Sequence, residues 1–261
     1  MDLRIERLEG ADAGILLLGL DRPAAKNALG RQLLAELRQT LSDLRLDPAV
    51  RVVVLHSHVP GVFCAGADLK ERAEMTQAEA GAFVQGLRSA FTELEDLPMP
   101  VIAALEGAAF GGGLELALAA DLRVAGADAK LGLVETALAI IPGAGGTQRL
   151  PRLIGSARAK ELIFTARRIG AAEAEGIGLV ERLVPAGSAL GAALGLAREI
   201  LPNGPVALRL AKQAVNRGFE LNLRSGLVLE QACYAQVLPT KDRLEGLAAF
   251  REKRKPQYRG E

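Results

Sequence analysis

An α/β fold is predicted for this 261-residue chain from two alternating patterns, short apolar runs that read as buried strands and longer stretches with a 3.6-residue period. A third observation divides it. Beyond about Gly187 the strand-like runs stop, and helical stretches are separated by Pro202-Asn203-Gly204-Pro205 and Arg217-Gly218. The predicted organisation is therefore a mixed core over residues 1–186, followed by an all-helical region over residues 187–261.

The strand-like runs are Ile15–Leu20, 51–55, Val101–Leu105 and 122–125, all rich in Val, Ile, Leu or Ala. Residues 27–46 place Leu33, Leu34, Leu37, Leu41 and Leu44 on one stripe, with Arg31, Arg38, Gln39 and Asp43 elsewhere, and Asp47-Pro48 ends the predicted helix. A second helix is predicted over 77–97. Thr76 is its N-cap, Glu79 completes a capping box, and Pro98 closes it. The last predicted helix, 240–255, is dense in charge yet carries Leu244, Leu247 and Phe250 at helical spacing, so it calls for a surface such as a neighbouring subunit.

Composition excludes several classes. With 32 basic and 31 acidic residues the net charge is +1, which provides no global field for nucleic acid. No apolar run approaches the roughly 18 residues of a membrane span. Cys64 and Cys233 are the only cysteines, too few for a disulfide framework or a four-thiolate metal site. They fit a reducing interior. Met1 is not followed by an apolar signal core or an Arg/Ser-rich leader, so the expected location is cytoplasmic, or the mitochondrial matrix for a chain whose transit peptide has been removed.

Three glycine-bearing segments carry the chemistry. Gly111-Gly112-Gly113-Leu114-Glu115 opens a predicted apolar helix, where free N–H groups and the helix dipole favour negative charge at Gly112. Phe63-Cys64-Ala65-Gly66-Ala67-Asp68-Leu69 is a predicted strand-to-helix turn in which no bulky side chain shields the Ala67 amide. Glu135 follows a predicted strand at 131–133 and precedes Ile140-Ile141-Pro142-Gly143-Ala144-Gly145-Gly146. Two amides aimed at one oxygen and two carboxyl groups beside it suit the addition of water next to a thioester carbonyl. In that chemistry one carboxylate takes a proton from water while a neutral carboxyl gives one to carbon.

Either glutamate alone is equally well read as a dipole partner, and a glycine cluster as a tight turn. Other motifs carry less. Gly143-Ala144-Gly145-Gly146-Thr147-Gln148 lacks the strand directly before it and has Gln148 at the sixth position, where a dinucleotide loop has glycine, and no Gly-Lys-Ser/Thr follows any glycine loop. His56 and His58 share a strand face without a third ligand, and Cys64 has no histidine partner, so it reads as a small buried residue.

These segments, together with Lys70-Glu71-Arg72, the stretch 142–151 and the tail from Cys233 to Gly260, resemble the enoyl-CoA hydratase/isomerase (crotonase) superfamily over nearly the whole chain. Within it they are most similar to the methylglutaconyl-CoA hydratase branch. The resemblance implies a spiral of ββα units with a C-terminal helical oligomerisation region, assembled as a homotrimer or a dimer of trimers. It implies an oxyanion hole from Ala67 and Gly112, paired acid/base residues Glu115 and Glu135, and a water-positioning Gly143. It further implies contacts to coenzyme A from Lys26, Ala65, Leu69 and Lys70, with Phe250 and Lys253 reaching a neighbour's CoA.

No cofactor is implied, because coenzyme A is part of the acyl-CoA substrate. The presence of both glutamates favours a hydratase over a double-bond isomerase. For a substrate like 3-methylglutaconyl-CoA, the distal carboxylate needs a cation, with Lys70, Arg72 and Arg88 as candidates. Relatives in this branch bind RNA through a lysine-rich first long helix. Residues 27–46 here contain no lysine, only Arg31, Arg38 and Arg45, and aromatic residues are 3% of the chain, so RNA binding with residual hydratase activity is the weaker alternative.

Overall fold

The computed structural model describes residues 1–261. The chain runs through β1 (Leu3–Arg7), β2 (Ile15–Leu20), α1 (Arg31–Arg45), β3 (Val52–Ser57), β4 (Val62–Cys64), α2 (Leu69–Ala73) and α3 (Gln77–Glu95). It continues with β5 (Val101–Leu105), β6 (Ala108–Phe110), α4 (Gly112–Leu118), β7 (Leu122–Gly126), β8 (Lys130–Gly132), α5 (Gly146–Ile154) and α6 (Ser156–Thr165). The final elements are β9 (Ile169–Gly170), α7 (Ala171–Gly176), β10 (Arg182–Val184), α8 (Ala189–Ile200), α9 (Pro205–Gly218), α10 (Leu223–Val237) and α11 (Lys241–Glu252).

The strands form two sheets, one in the order β1-β2-β3-β5-β7-β10 and the other β4-β6-β8-β9. Three successive turns of chain, β3-β4, β5-β6 and β7-β8, each give one strand to each sheet before entering helical structure, which makes a spiral. Pairing is parallel from β2 through β3, β5 and β7, as in Leu18↔Leu55, Val54↔Ile102 and Ala104↔Val124. The small sheet is parallel from β4 through β6 to β8.

The large sheet is buried on both faces, which is why its central strands read as continuous apolar runs. Leu16, Leu18, Val53, Leu55, Ala103 and Leu105 face the main core. Their alternates Ile15, Leu17, Val52, Val54, Ile102 and Ala104 pack against Ala189, Ala193, Leu196 and Ala197 of α8. Helix α8 thus covers the sheet's second face, and a division at Gly187 runs between the sheet and this helix. Beyond it, α9 and α10 pack mainly on each other and leave Phe219, Leu223, Val228 and Tyr234 exposed.

Helix α3 carries the predicted Thr76–Glu79 capping box. Helix α1, by contrast, starts four residues later than the apolar stripe suggested. Asn27 is fully buried in a left-handed conformation (φ 56°), and its side chain accepts from the Arg22 N–H and donates to Ser57 Oγ and the Phe63 carbonyl. Leu29 then pairs with Ala67, and the Glu71 carboxylate caps the helix at the Arg31 N–H. On its outer face Arg31 pairs with Glu79 and Arg38 with Glu93 of α3, so two of the three arginines face acidic partners.

Candidate active site

Two backbone amides meet where β4 and β6 deliver their chains to α2 and α4. The loop after β4 is pinned on both sides of Ala67, since Gly66 O accepts from Leu29 N at 2.8 Å and Asp68 N donates to Leu29 O at 3.0 Å. Arg22 adds a clamp, donating to Ala28 O and pairing with Asp68 and Glu71. The Ala67 N–H donates to no atom of the chain, and Gly112, the first residue of α4, has an N–H with no intrahelical partner. A methyl group on Gly112 would lie 3.8 Å from the Ala67 nitrogen, and one on Gly66 would lie 3.7 Å from the Gly112 nitrogen. The two free amides are therefore neighbours.

Gly111 enters α4 with φ 52° and ψ −125°, a backbone state that glycine adopts without steric cost. This bend turns the start of α4 between the two glutamates. A methyl group on Gly111 would sit 3.2 Å from Glu135 Oε1, and one on Gly112 would sit 3.9 Å from Glu115 Oε2. The carboxyl groups thus flank the amide end of α4.

The two carboxyl environments differ. Glu115 is 3% exposed, and its Oε1 accepts from Ala144 N at 2.8 Å and Gly146 N at 2.7 Å. Burial raises its pKa, while those two amides and the Arg149 and Arg88 charges favour its ionised form. Glu135 begins a short 3-10 turn, 135–138, and its Oε2 is buried without a partner. Burial, joined by the Glu115 charge, pushes Glu135 up to about 7. The two amides favour the anion at Glu115 against the effect of burial, while Glu135 is poised to hold a proton near pH 7.

The Pro142–Gly146 loop is held from outside by two arginines. Arg88 Nε and Nη2 donate to Gly143 O at 3.0 and 2.8 Å, and Arg149 donates to Ala144 O at 3.2 Å while pairing with Glu95 at 2.6 Å. Arg88 was expected among the cations for a substrate carboxylate, but two of its three guanidinium nitrogens are engaged by this carbonyl. The Gly143 N–H makes no bond within the chain.

The other expected residues fall into two groups. Ala65, Leu69 and Lys70 are exposed on the loop and helix around Ala67, and Lys26 is exposed beside them because its carbonyl accepts from Ala65 N. Arg72, half-buried on α2, has no ion-pair partner. Phe250, 87% exposed, and Lys253 lie at the end of α11, and neither side chain hydrogen-bonds to these loops. A cleft of about 830 Å³ beyond Arg88, Gly145 and Arg149 extends toward Lys212 and Phe219 and contains neither glutamate.

Sequence reasoning missed Asn27, Arg22, Arg149 and the Ala144 and Gly146 amides. The paired glycines 145–146 were the only signal for the last. No group of three or more His, Cys, Asp or Glu side chains is arranged to hold a metal ion. His56 is buried against His58, and burial lowers its pKa to about 4. Cys64 donates to Asn27 O, and burial pushes its thiol up to about 12.

A family model described as enoyl-CoA hydratase/isomerase matches residues 10–261. The chain is 54% identical over 264 residues to the human protein named methylglutaconyl-CoA hydratase, mitochondrial, covering all of this chain and 78% of that one. It is 52% identical over 263 residues to the mouse protein named enoyl-CoA hydratase domain-containing protein 2, mitochondrial, covering 99% and 89%. A solved structure of an enoyl-CoA hydratase from Bacillus anthracis matches with a TM-score of 0.97 at 48% identity, with both chains fully covered.

Proposed function

Since this chain belongs to the enoyl-CoA hydratase/isomerase family and has that family's activity on an enoyl-CoA thioester, we propose that it adds water reversibly across the 2,3 double bond of a short branched substrate such as 3-methylglutaconyl-CoA. The observation that carries the reaction type is the asymmetry of two carboxyl groups beside two free amides.

The Ala67 and Gly112 N–H groups hold the thioester oxygen as it gains charge. Glu115, ionised and steadied by two amides, takes a proton from the water that attacks C3. Glu135, neutral, gives a proton to C2. Dehydration reverses both transfers, so each residue then starts from the opposite protonation state. The exposed rim of Lys26, Ala65, Leu69 and Lys70 suits the coenzyme A moiety, and Arg72, which has no acidic partner, is a candidate cation for a distal acyl carboxylate.

The apolar residues exposed on α9 to α11 support assembly into a trimer or a dimer of trimers. The substrate reading is tested by loss of enoyl-thioester absorbance with crotonyl-CoA and 3-methylglutaconyl-CoA side by side. A higher kcat/KM on the second is expected, and equal values on both would remove the branched carboxylated substrate from the proposal.

A further inference from the structure

Glu115 Oε1 accepts from the N–H of Ala144, and the carbonyl of that same peptide group, Gly143 O, accepts both Nε and Nη2 of Arg88. A peptide whose oxygen is held by a cation presents a more polarised N–H on its other side. One guanidinium fork on α3 is thus linked to the carboxylate on α4 through a single rigid amide plane.

The charges around Glu115 single out Arg88. Arg149 of α5 also supports the loop, at Ala144 O, but its charge is matched by Glu95 of α3 at 2.6 Å. Arg88 has no acidic partner within ion-pair distance. Glu135, in the turn after β8, is the other carboxyl beside the start of α4, and it is itself raised by the Glu115 charge. The loop also lies close against α3, since a methyl group on Gly143 would come 2.8 Å from Val84 Cγ1.

We infer that Arg88 is a positioning residue for this reaction, acting through the Gly143–Ala144 peptide to aim Glu115 and keep it ionised, rather than the partner of a substrate carboxylate. The inference rests on the reading of Glu115 as the proton acceptor in hydration.

The test is kcat and kcat/KM against pH for wild type, Arg88→Gln, Arg88→Lys and Glu115→Gln, each on crotonyl-CoA and 3-methylglutaconyl-CoA. Loss of a positive charge raises the Glu115 pKa, so the acid limb of Arg88→Gln moves to higher pH. Its kcat falls about tenfold on both substrates with little change in KM, the loss expected when one charge-assisted hydrogen bond stops supporting the transition state. Arg88→Lys returns the acid limb toward wild type. An unmoved acid limb in Arg88→Gln overturns the inference, as does a loss confined to the carboxylated substrate. Full hydration by Glu115→Gln would instead overturn the underlying assignment of the base.

Discussion

Glu115 and Glu135 flank the same turn at Gly111–Gly112 but are held in opposite ways. Glu115 Oε1 is bonded by two amides, while Glu135 Oε2 is buried with no partner. An anion supported by N–H groups and a carboxyl oxygen buried without a partner are the two halves of an acid/base pair.

Replacing either glutamate by glutamine removes proton transfer but keeps the shape of the side chain. Hydration of crotonyl-CoA by Glu115→Gln or Glu135→Gln is expected to fall by on the order of 100-fold or more. Unchanged far-UV circular dichroism will show that the fold is retained. Activity within threefold of wild type for either variant would refute its proposed role.

The pH dependence has a definite sign. With Glu135 raised to about 7 by burial and the Glu115 charge, its proton is present below that value and lost above it. The hydration rate therefore declines as pH rises through about 7, and dehydration, which draws on the same singly protonated pair with the proton on Glu115, declines with it. The apparent values belong to the coupled pair. Because a carboxyl raised from its ordinary value binds its proton better in the folded state, its contribution also makes stability fall between about pH 4.5 and 7. Initial rates in both directions and urea midpoints across that range check both signs.

Gly113 lets α4 pack directly on β4. A methyl group there would overlap the Cys64 carbonyl oxygen, and backbone cannot swing aside as a side chain does. Gly113→Ala gains about 1 kcal/mol of helix propensity, but overpacking costs typically about 1–3 kcal/mol. A net loss of stability is expected, read as a lower urea midpoint at constant slope. A midpoint equal to wild type would mean that the two elements have slack between them.

Asn27→Ala removes the acceptor for Arg22 N and the donor to Phe63 O, and places alanine at φ 56°. Buried polar groups left unpaired cost about 1–3 kcal/mol each, and alanine tolerates the left-handed region less well than asparagine. A destabilisation of about 3 kcal/mol is expected by chemical denaturation. Catalysis should also decline, because Asn27 O and Lys26 O hold Cys64 and Ala65 just before the Ala67 amide.

Both thiols are buried, and that of Cys64 is raised to about 12. Native protein is expected to react with an aromatic disulfide reagent at far below the rate measured in denaturant. Rapid labelling of the native protein would show that the chain opens locally at β4 or α10.

The readability of the fold varied with element length. The four central strands were legible because burial on both faces makes them continuously apolar, and α3 because its cap and both ends are written in local residues. Strands β4, β6, β9 and β10 have two or three residues each, too few for any period to appear. Strand β1 has one buried residue, Leu3, so its sequence carries almost no apolar signal. The late start of α1 had a distant cause as well, in the Asn27 bonds to Ser57 and Phe63.

The sequence by itself determined the α/β alternation, the C-terminal helices, the two glutamates and the glycine segments beside them. Apolar period, caps and glycine are properties of neighbours along the chain. Only the tertiary structure decided that Glu115 is held by the Ala144 and Gly146 amides, that Glu135 is left unpartnered, and that Arg88 turns to Gly143. Hydrogen-bond partners and desolvation depend on which groups meet in space, and these lie about thirty to more than fifty residues apart in the chain.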